Sequence, residues 1–142
     1  MFDALNKFSD AQAITASAAS TSGLDLSAAR QMAAGRQLWV VVQCTTAMTD
    51  GGSDSTVTVT VQSDSDSAFG SPTTVQTLTA FAATSAAGTV VKAPLAIFGT
   101  AERYIRLYYT VANGNLSTGS FTAYLALDVQ QADVYAKGYT IS

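Results

Sequence analysis

The segment Ser55–Asp64, STVTVTVQSD, admits one local structure. Val57, Val59 and Val61 alternate with Thr58, Thr60 and Gln62. That period of two places the valines on one face of a strand and hydroxyl or amide groups on the other. A helix would scatter the same valines around its circumference. Val and Thr are also both β-branched, which disfavours helix and suits a pleated surface. A strand buried on one face needs paired neighbours and a second layer against that face, so the rest of the chain must supply more strands.

Several segments do. In QLWVVVQC, Leu38, Val40, Val42 and Cys44 share one face while Trp39 and Val41 take the other. Thr73–Phe81 reads as a further strand, and Thr89–Phe98 as two short ones broken near Pro94, which cannot donate to a ladder. Ile105, Leu107, Tyr109 and Val111 alternate with Tyr104, Arg106, Tyr108 and Thr110. Phe121, Ala123, Leu125 and Leu127 form the last inward set. Turn clusters separate these runs: Gly51-Gly52, the loop DSDSAFGSP with Phe69 tucked beneath it, and Asn113-Gly114. Short strands punctuated in this way predict an all-β sandwich or barrel over residues 35–128. Residues 1–34 read differently. Thr15, Ser17, Ser20, Thr21, Ser22 and Gly23 interrupt any helical stripe, so an extended N-terminal arm with short β pieces is expected, Leu24–Leu26 among them. Residues 129–142 are expected to form a second arm at the C-terminus.

Composition narrows the function. Of 142 residues only 12% are charged, against about a quarter in ordinary soluble domains. A neutral, hydroxyl-rich surface is cheap to desolvate, and charge depletion characterises the cores of protein interfaces. The net charge is −3, and the 7 basic residues are scattered. Nucleic-acid binding requires clustered cations and is not expected. No apolar run reaches the roughly 20 residues of a membrane-spanning helix, and MFDALNKFSD lacks the basic-then-apolar order of a secretory signal. A single cysteine excludes an intrachain disulfide and fits assembly inside a cell.

The reactive groups are few. With no histidine, the usual acid–base residue is missing, as are Ser-His and Cys-His pairs. Cys44 lies on the apolar face of its strand, where a buried, inert thiol is expected. Asp50 and Asp54, and Asp64 and Asp66, fall close together in loops. Closely spaced acids suit Ca²⁺, but these lack the spacing of an EF-hand, and Asx turns are the better reading. Glu102 is placed to pair with its neighbour Arg103. Neither catalytic residues nor a metal or cofactor is expected. The aromatics Tyr104, Tyr108 and Tyr124, on outward faces of neighbouring strands, suit interface anchors. Phe2, Phe8 and Ile14 in the first arm and Tyr135 and Tyr139 in the second complete the candidate interface residues.

The opening F-x-x-x-x-x-FSDAQAIT-x-SAAST, followed by LDLSAAR and by the stretch V-x-V-x-VQ-S…F-x-SPTTV over Val57–Val75, resembles the capsid cement (decoration) proteins of tailed phages. The resemblance implies a jelly-roll domain on the outside of an icosahedral head. It also implies the major capsid protein as partner, a homo-oligomer (dimer or trimer), synthesis in the host cytoplasm and no catalytic residues. Two alternatives remain open from the residues: a carbohydrate-binding β-sandwich using its aromatic face, and a head–tail or tail structural protein.

Overall fold

The computed structural model describes residues 6–28, 38–95 and 102–127. Among these, nine strands follow one another: β1 (Lys7–Ala13), β2 (Ala18–Ala19), β3 (Leu24–Asp25), β4 (Leu38–Thr49), β5 (Thr56–Asp64), β6 (Thr73–Thr77), β7 (Val90–Pro94), β8 (Tyr104–Ala112) and β9 (Thr118–Leu127). The alternating segment is β5. It pairs antiparallel with β8 in nine consecutive partners, from Thr56 opposite Ala112 to Asp64 opposite Tyr104, without a register shift.

The strands form two antiparallel sheets. The first has the order β1-β9-β4-β7; the second has β2-β8-β5-β6, with β3 also pairing β8. β2 and β3 lie along the same strand, opposite Tyr108–Tyr109 and Tyr104–Ile105 respectively, so they occupy one position in the sheet. Each sheet thus holds four strand positions, interleaved in the chain order of a jelly roll.

The inner faces carry the residues that alternation selects. Val57, Val59 and Val61 are at most 1% exposed, as are Ile105, Leu107 and Tyr109, Val40, Val42 and Cys44, and Phe121 and Ala123. Between the sheets, Phe81 and Tyr109 both pack on Phe121, with centroids 5.0 and 5.6 Å apart. Tilted rings at these distances fall in the range favoured for aromatic pairs. The Tyr109 hydroxyl donates to Ser9 Oγ at 2.9 Å, and Ser9 Oγ donates to Gln12 Oε1 at 2.8 Å, so this buried phenol is satisfied.

The N-terminal arm is a correction. Within residues 1–34, β1, β2 and β3 are integral strands of the sandwich. Phe8 and Ile14 are 1% and 0% exposed in the core. β1 escapes the alternation rule because its pairing with β9 shifts register twice, between Lys7 and Ser9 and between Ser9 and Gln12, and Ala11 has φ 45°. Such bulges add residues to one strand and break the period of two. The piece expected at Leu24–Leu26 is present as β3. The expected C-terminal arm lies outside the described residues.

One further boundary differs. β6 ends at Thr77, after which the chain stays near β5 through Leu78 N–H donating to Val59 O and a bridge between Phe81 and Val57. The first of the two short strands expected over Thr89–Phe98 is β7, which ends at Pro94, where the break was expected; residues 96–101, where the second was expected, lie outside the described residues. The tight turn at Asn113-Gly114 is present, with φ 64° and 110°. It does not close a hairpin, because β8 and β9 belong to different sheets.

Candidate functional site

The even-numbered residues of β8 point away from the core. Tyr104, Arg106 and Tyr108 are half-buried on the outer face of the second sheet, and Thr110 is exposed. Across the ladder stand Asp64, Gln62, Thr60 and Thr58. The strict β5–β8 register makes the backbone of this array stiff.

The β5–β6 loop folds over one end of it. Asp64 holds the loop, with Oδ1 accepting from Asp66 N–H at 3.0 Å and Oδ2 from Ser71 N–H at 2.9 Å. These backbone donors hold the Asp64 carboxyl below the usual carboxylate range. Asp66 Oδ1 accepts from Ala68 N–H, and Asp66 O from Phe69 N–H, each at 3.0 Å. Phe69 itself sits at φ 52°, a left-handed conformation that costs a bulky residue roughly 1–2 kcal/mol. The consequence is visible on the face: the Phe69 ring lies 4.3 Å from the Arg106 guanidinium carbon, and the Tyr108 ring lies 5.6 Å from it. Arg106 Nε donates to Gln62 Oε1 at 2.9 Å.

At the same end, Arg103 donates through Nε and an Nη to the two oxygens of Asp25, at 2.8 and 2.9 Å, and its guanidinium lies 4.9 Å from the Tyr104 ring centre. Arg103 therefore reaches Asp25 of β3, not its neighbour Glu102. The Arg103 hydrogen bonds, helped by Ser27 N–H, lower the Asp25 carboxyl to about 2. A depression of ≈ 210 Å³ lies beside this pair, lined by Gly23, Leu24, Asp25, Ser67, Phe69, Tyr104 and Ile105.

The other candidate residues separate. Tyr124 pairs with Val41 on β4 and Lys7 on β1, which puts it on the outer face of the first sheet, on the opposite side of the molecule from Tyr104 and Tyr108. Expecting all three on neighbouring strands was wrong because the turn at Asn113-Gly114 switches sheets. Phe8 and Ile14 are core residues and offer no surface. Phe2, Tyr135 and Tyr139 lie outside the described residues. Sequence reasoning missed Arg106 and Phe69 as partners. The spacing Tyr104-x-Arg106-x-Tyr108 gave the first half of the signal; the second half depends on a loop conformation that alternation cannot express.

The loop acids are turn-formers. Asp50 Oδ2 accepts from Ser55 Oγ at 2.6 Å and from Ser55 N–H at 3.0 Å, and these contacts lower its carboxyl, the Ser55 hydroxyl most. Among the described residues no group of three or more Asp, Glu, His or Cys side chains is placed to hold a metal ion. Cys44 is fully buried, its thiol 3.1 Å from Thr46 O, and burial raises its pKa.

A family model, Bbp16, matches residues 8–125. The chain belongs to the Bbp16 family. The matched span runs from Phe8 through Leu125 and so takes in nearly the whole jelly roll, including the outer face of the second sheet. No curated protein matches the chain.

Proposed function

We propose that this Bbp16-family chain is a capsid cement protein, which binds the outside of a phage head, as a homo-oligomer, and stabilises contacts between major capsid subunits. The observation that carries this reading is the outer face of the second sheet. A rigid, register-locked array displays Thr58, Thr60, Gln62, Tyr104, Arg106 and Tyr108, groups that desolvate at low cost or anchor interfaces. The resemblance of the N-terminal FSDAQAIT segment to cement proteins supports the same reading. A binder that spans a seam stabilises the closed shell by its binding free energy. Particles lacking this protein should assemble and then release DNA at a lower temperature than complete ones. Equal release temperatures would overturn the cement reading. Mass spectrometry of purified heads should find the protein at a copy number comparable to that of the capsid subunit.

The depression beside Tyr104 and Phe69 favours one alternative, a carbohydrate-binding sandwich. A glycan-array signal abolished by Tyr104→Ala would support that alternative and displace the cement reading.

A further inference from the structure

Arg106 is the unusual group on this face. Among the described residues, Arg103 is matched by Asp25 and Lys7 by Asp10, but Arg106, like Lys92 on β7 of the other sheet, has no carboxylate partner. Its one hydrogen bond, from Nε, goes to the neutral Gln62. The nearest acid by register is Asp64, opposite the adjacent Tyr104, and its two oxygens are committed to Asp66 N–H and Ser71 N–H. The flanking groups are Phe69 and Tyr108, whose rings hold the guanidinium.

This arrangement fixes the guanidinium while leaving its terminal nitrogens without hydrogen-bond partners among the described residues. A guanidinium already held against two rings and a glutamine has lost much of the freedom that an arginine gives up on binding, so less is lost when it meets a ligand. Its terminal N–H groups match a carboxylate in planar, two-pronged fashion. Phe69 is kept in a left-handed conformation by the turn bonds of Asp64 and Asp66, and strain maintained at a surface residue is a mark of preorganisation. The other cation at this end of the face, Arg103, is held by Asp25.

We infer that Arg106, braced by Phe69, Tyr108 and Gln62, is the anchor of a docking surface that receives an Asp or Glu side chain of a protein partner. Resting on the cement reading, it assigns that partner as a capsid-subunit segment carrying the carboxylate. The occupant follows from charge complementarity: among the described residues the nearby carboxylates Asp64 and Asp25 are engaged by backbone donors and by Arg103, which leaves the Arg106 guanidinium as the cation on this face without an ion pair, and such a group selects an anion. The Thr and Gln side chains around it supply hydrogen bonds to whatever backbone flanks that acid.

The experiment is rebinding to heads lacking the protein, for wild type, Arg106→Gln and Arg106→Glu. Thermal unfolding of each variant, expected close to wild type because Arg106 lies on the outer face, reports that the fold is kept. Arg106→Gln should weaken binding by at least about tenfold, as loss of a charge-assisted anchor does. Arg106→Glu should weaken it further, because it sets two carboxylates against each other. If Arg106→Gln binds as wild type, the docking assignment is overturned while the cement reading stands. If Gln and Glu weaken binding equally, the partner group is not acidic and the inference fails in its chemistry. If the wild-type protein itself does not bind heads, the cement reading falls and this assignment falls with it.

Discussion

The β5–β8 ladder and the N-terminal segment bury comparable side chains by different means. β5 and β8 hold nine consecutive pairs in one register, and every second residue enters the core. Residues 7–25 contribute β1, with two register shifts, and two two-residue strands on β8. Yet Phe8 and Ile14 are as buried as Val59 and Leu107. Periodicity therefore measures how regular a ladder is, not how much of the core it supplies. A strand with bulges re-aims its side chains at each bulge, and the sequence shows only the interrupted pattern.

The largest expected effects test this equivalence. Val59→Asp should abolish folding, since it places an unpaired charge among apolar side chains at a cost of several kcal/mol or more. Phe8→Ala should cost about 3–5 kcal/mol and Leu107→Ala about 2–5 kcal/mol, both measured by denaturant unfolding. A Phe8→Ala variant within about 0.5 kcal/mol of wild type, the usual range for surface changes, would return the N-terminal segment to the status of an arm.

A middle-sized effect sits on the contact that joins the two regions. Tyr109→Phe removes the hydrogen bond to Ser9 Oγ and should cost about 1–2 kcal/mol. The same contact predicts an alkaline limit. Burial raises the Tyr109 hydroxyl from 10.0 to about 12, with the Ser9 hydrogen bond opposing. A group whose folded pKa is raised contributes stability that is complete below its unfolded value and lost as pH rises through the folded one. Stability should therefore fall between pH 10 and about 12 in the wild type, and Tyr109→Phe should flatten that decline.

How far the sequence reached follows from the same contrast. Val57, Val59, Val61, Ile105, Leu107, Phe121 and Ala123 were assigned inward from alternation, and they are buried, whereas Val111 and Leu125, assigned with them, are half-buried against the core. Tyr104 and Tyr108 were assigned outward, and they stand on the candidate face. What alternation cannot encode is which sheet a strand joins. Asn113-Gly114 signals a tight turn equally well within a sheet or between sheets, and so Tyr124 went to the wrong side. Nor can it encode a left-handed Phe69, which depends on hydrogen bonds to Asp64 and Asp66 several residues away.

Smaller effects sharpen the comparison at the N-terminal side. A Cβ at Gly23 would lie 2.7 Å from the backbone oxygen of Ile105, so Gly23→Ala must move the link between β2 and β3 off β8. A cost of about 1–3 kcal/mol is expected, as for other overpacked sites, with hydrogen exchange faster at Leu24 and Asp25 than at β5. An effect confined to acid should follow from Asp25, Asp50 and Asp64, whose carboxyls are all lowered, the first by Arg103, the second by Ser55 and the third by the Asp66 and Ser71 backbones. Groups with depressed folded pKa values contribute stability above their unfolded value, near 3.8, and lose it as pH falls through the folded one. The melting temperature should drop between pH 4 and 2, and Asp25→Asn should remove part of the drop.

The smallest effect is expected at Thr58, and it tests the ladder most directly because its neighbour Val59 faces the other way. Thr58 is half-buried on the outer face. Thr58→Ser keeps the hydroxyl and loses one methyl group and some strand propensity. The change should stay within about 0.5 kcal/mol, as for most surface substitutions. Val59→Thr alters a side chain of nearly the same shape but places a hydroxyl where Val59 is fully buried. Left without a partner, that hydroxyl should cost about 1–3 kcal/mol. The two variants differ by one position and a few atoms, so their ratio reports register and little else. A one-residue slip would move every valine of β5 to solvent and every threonine to the core, and the order of the two costs would reverse.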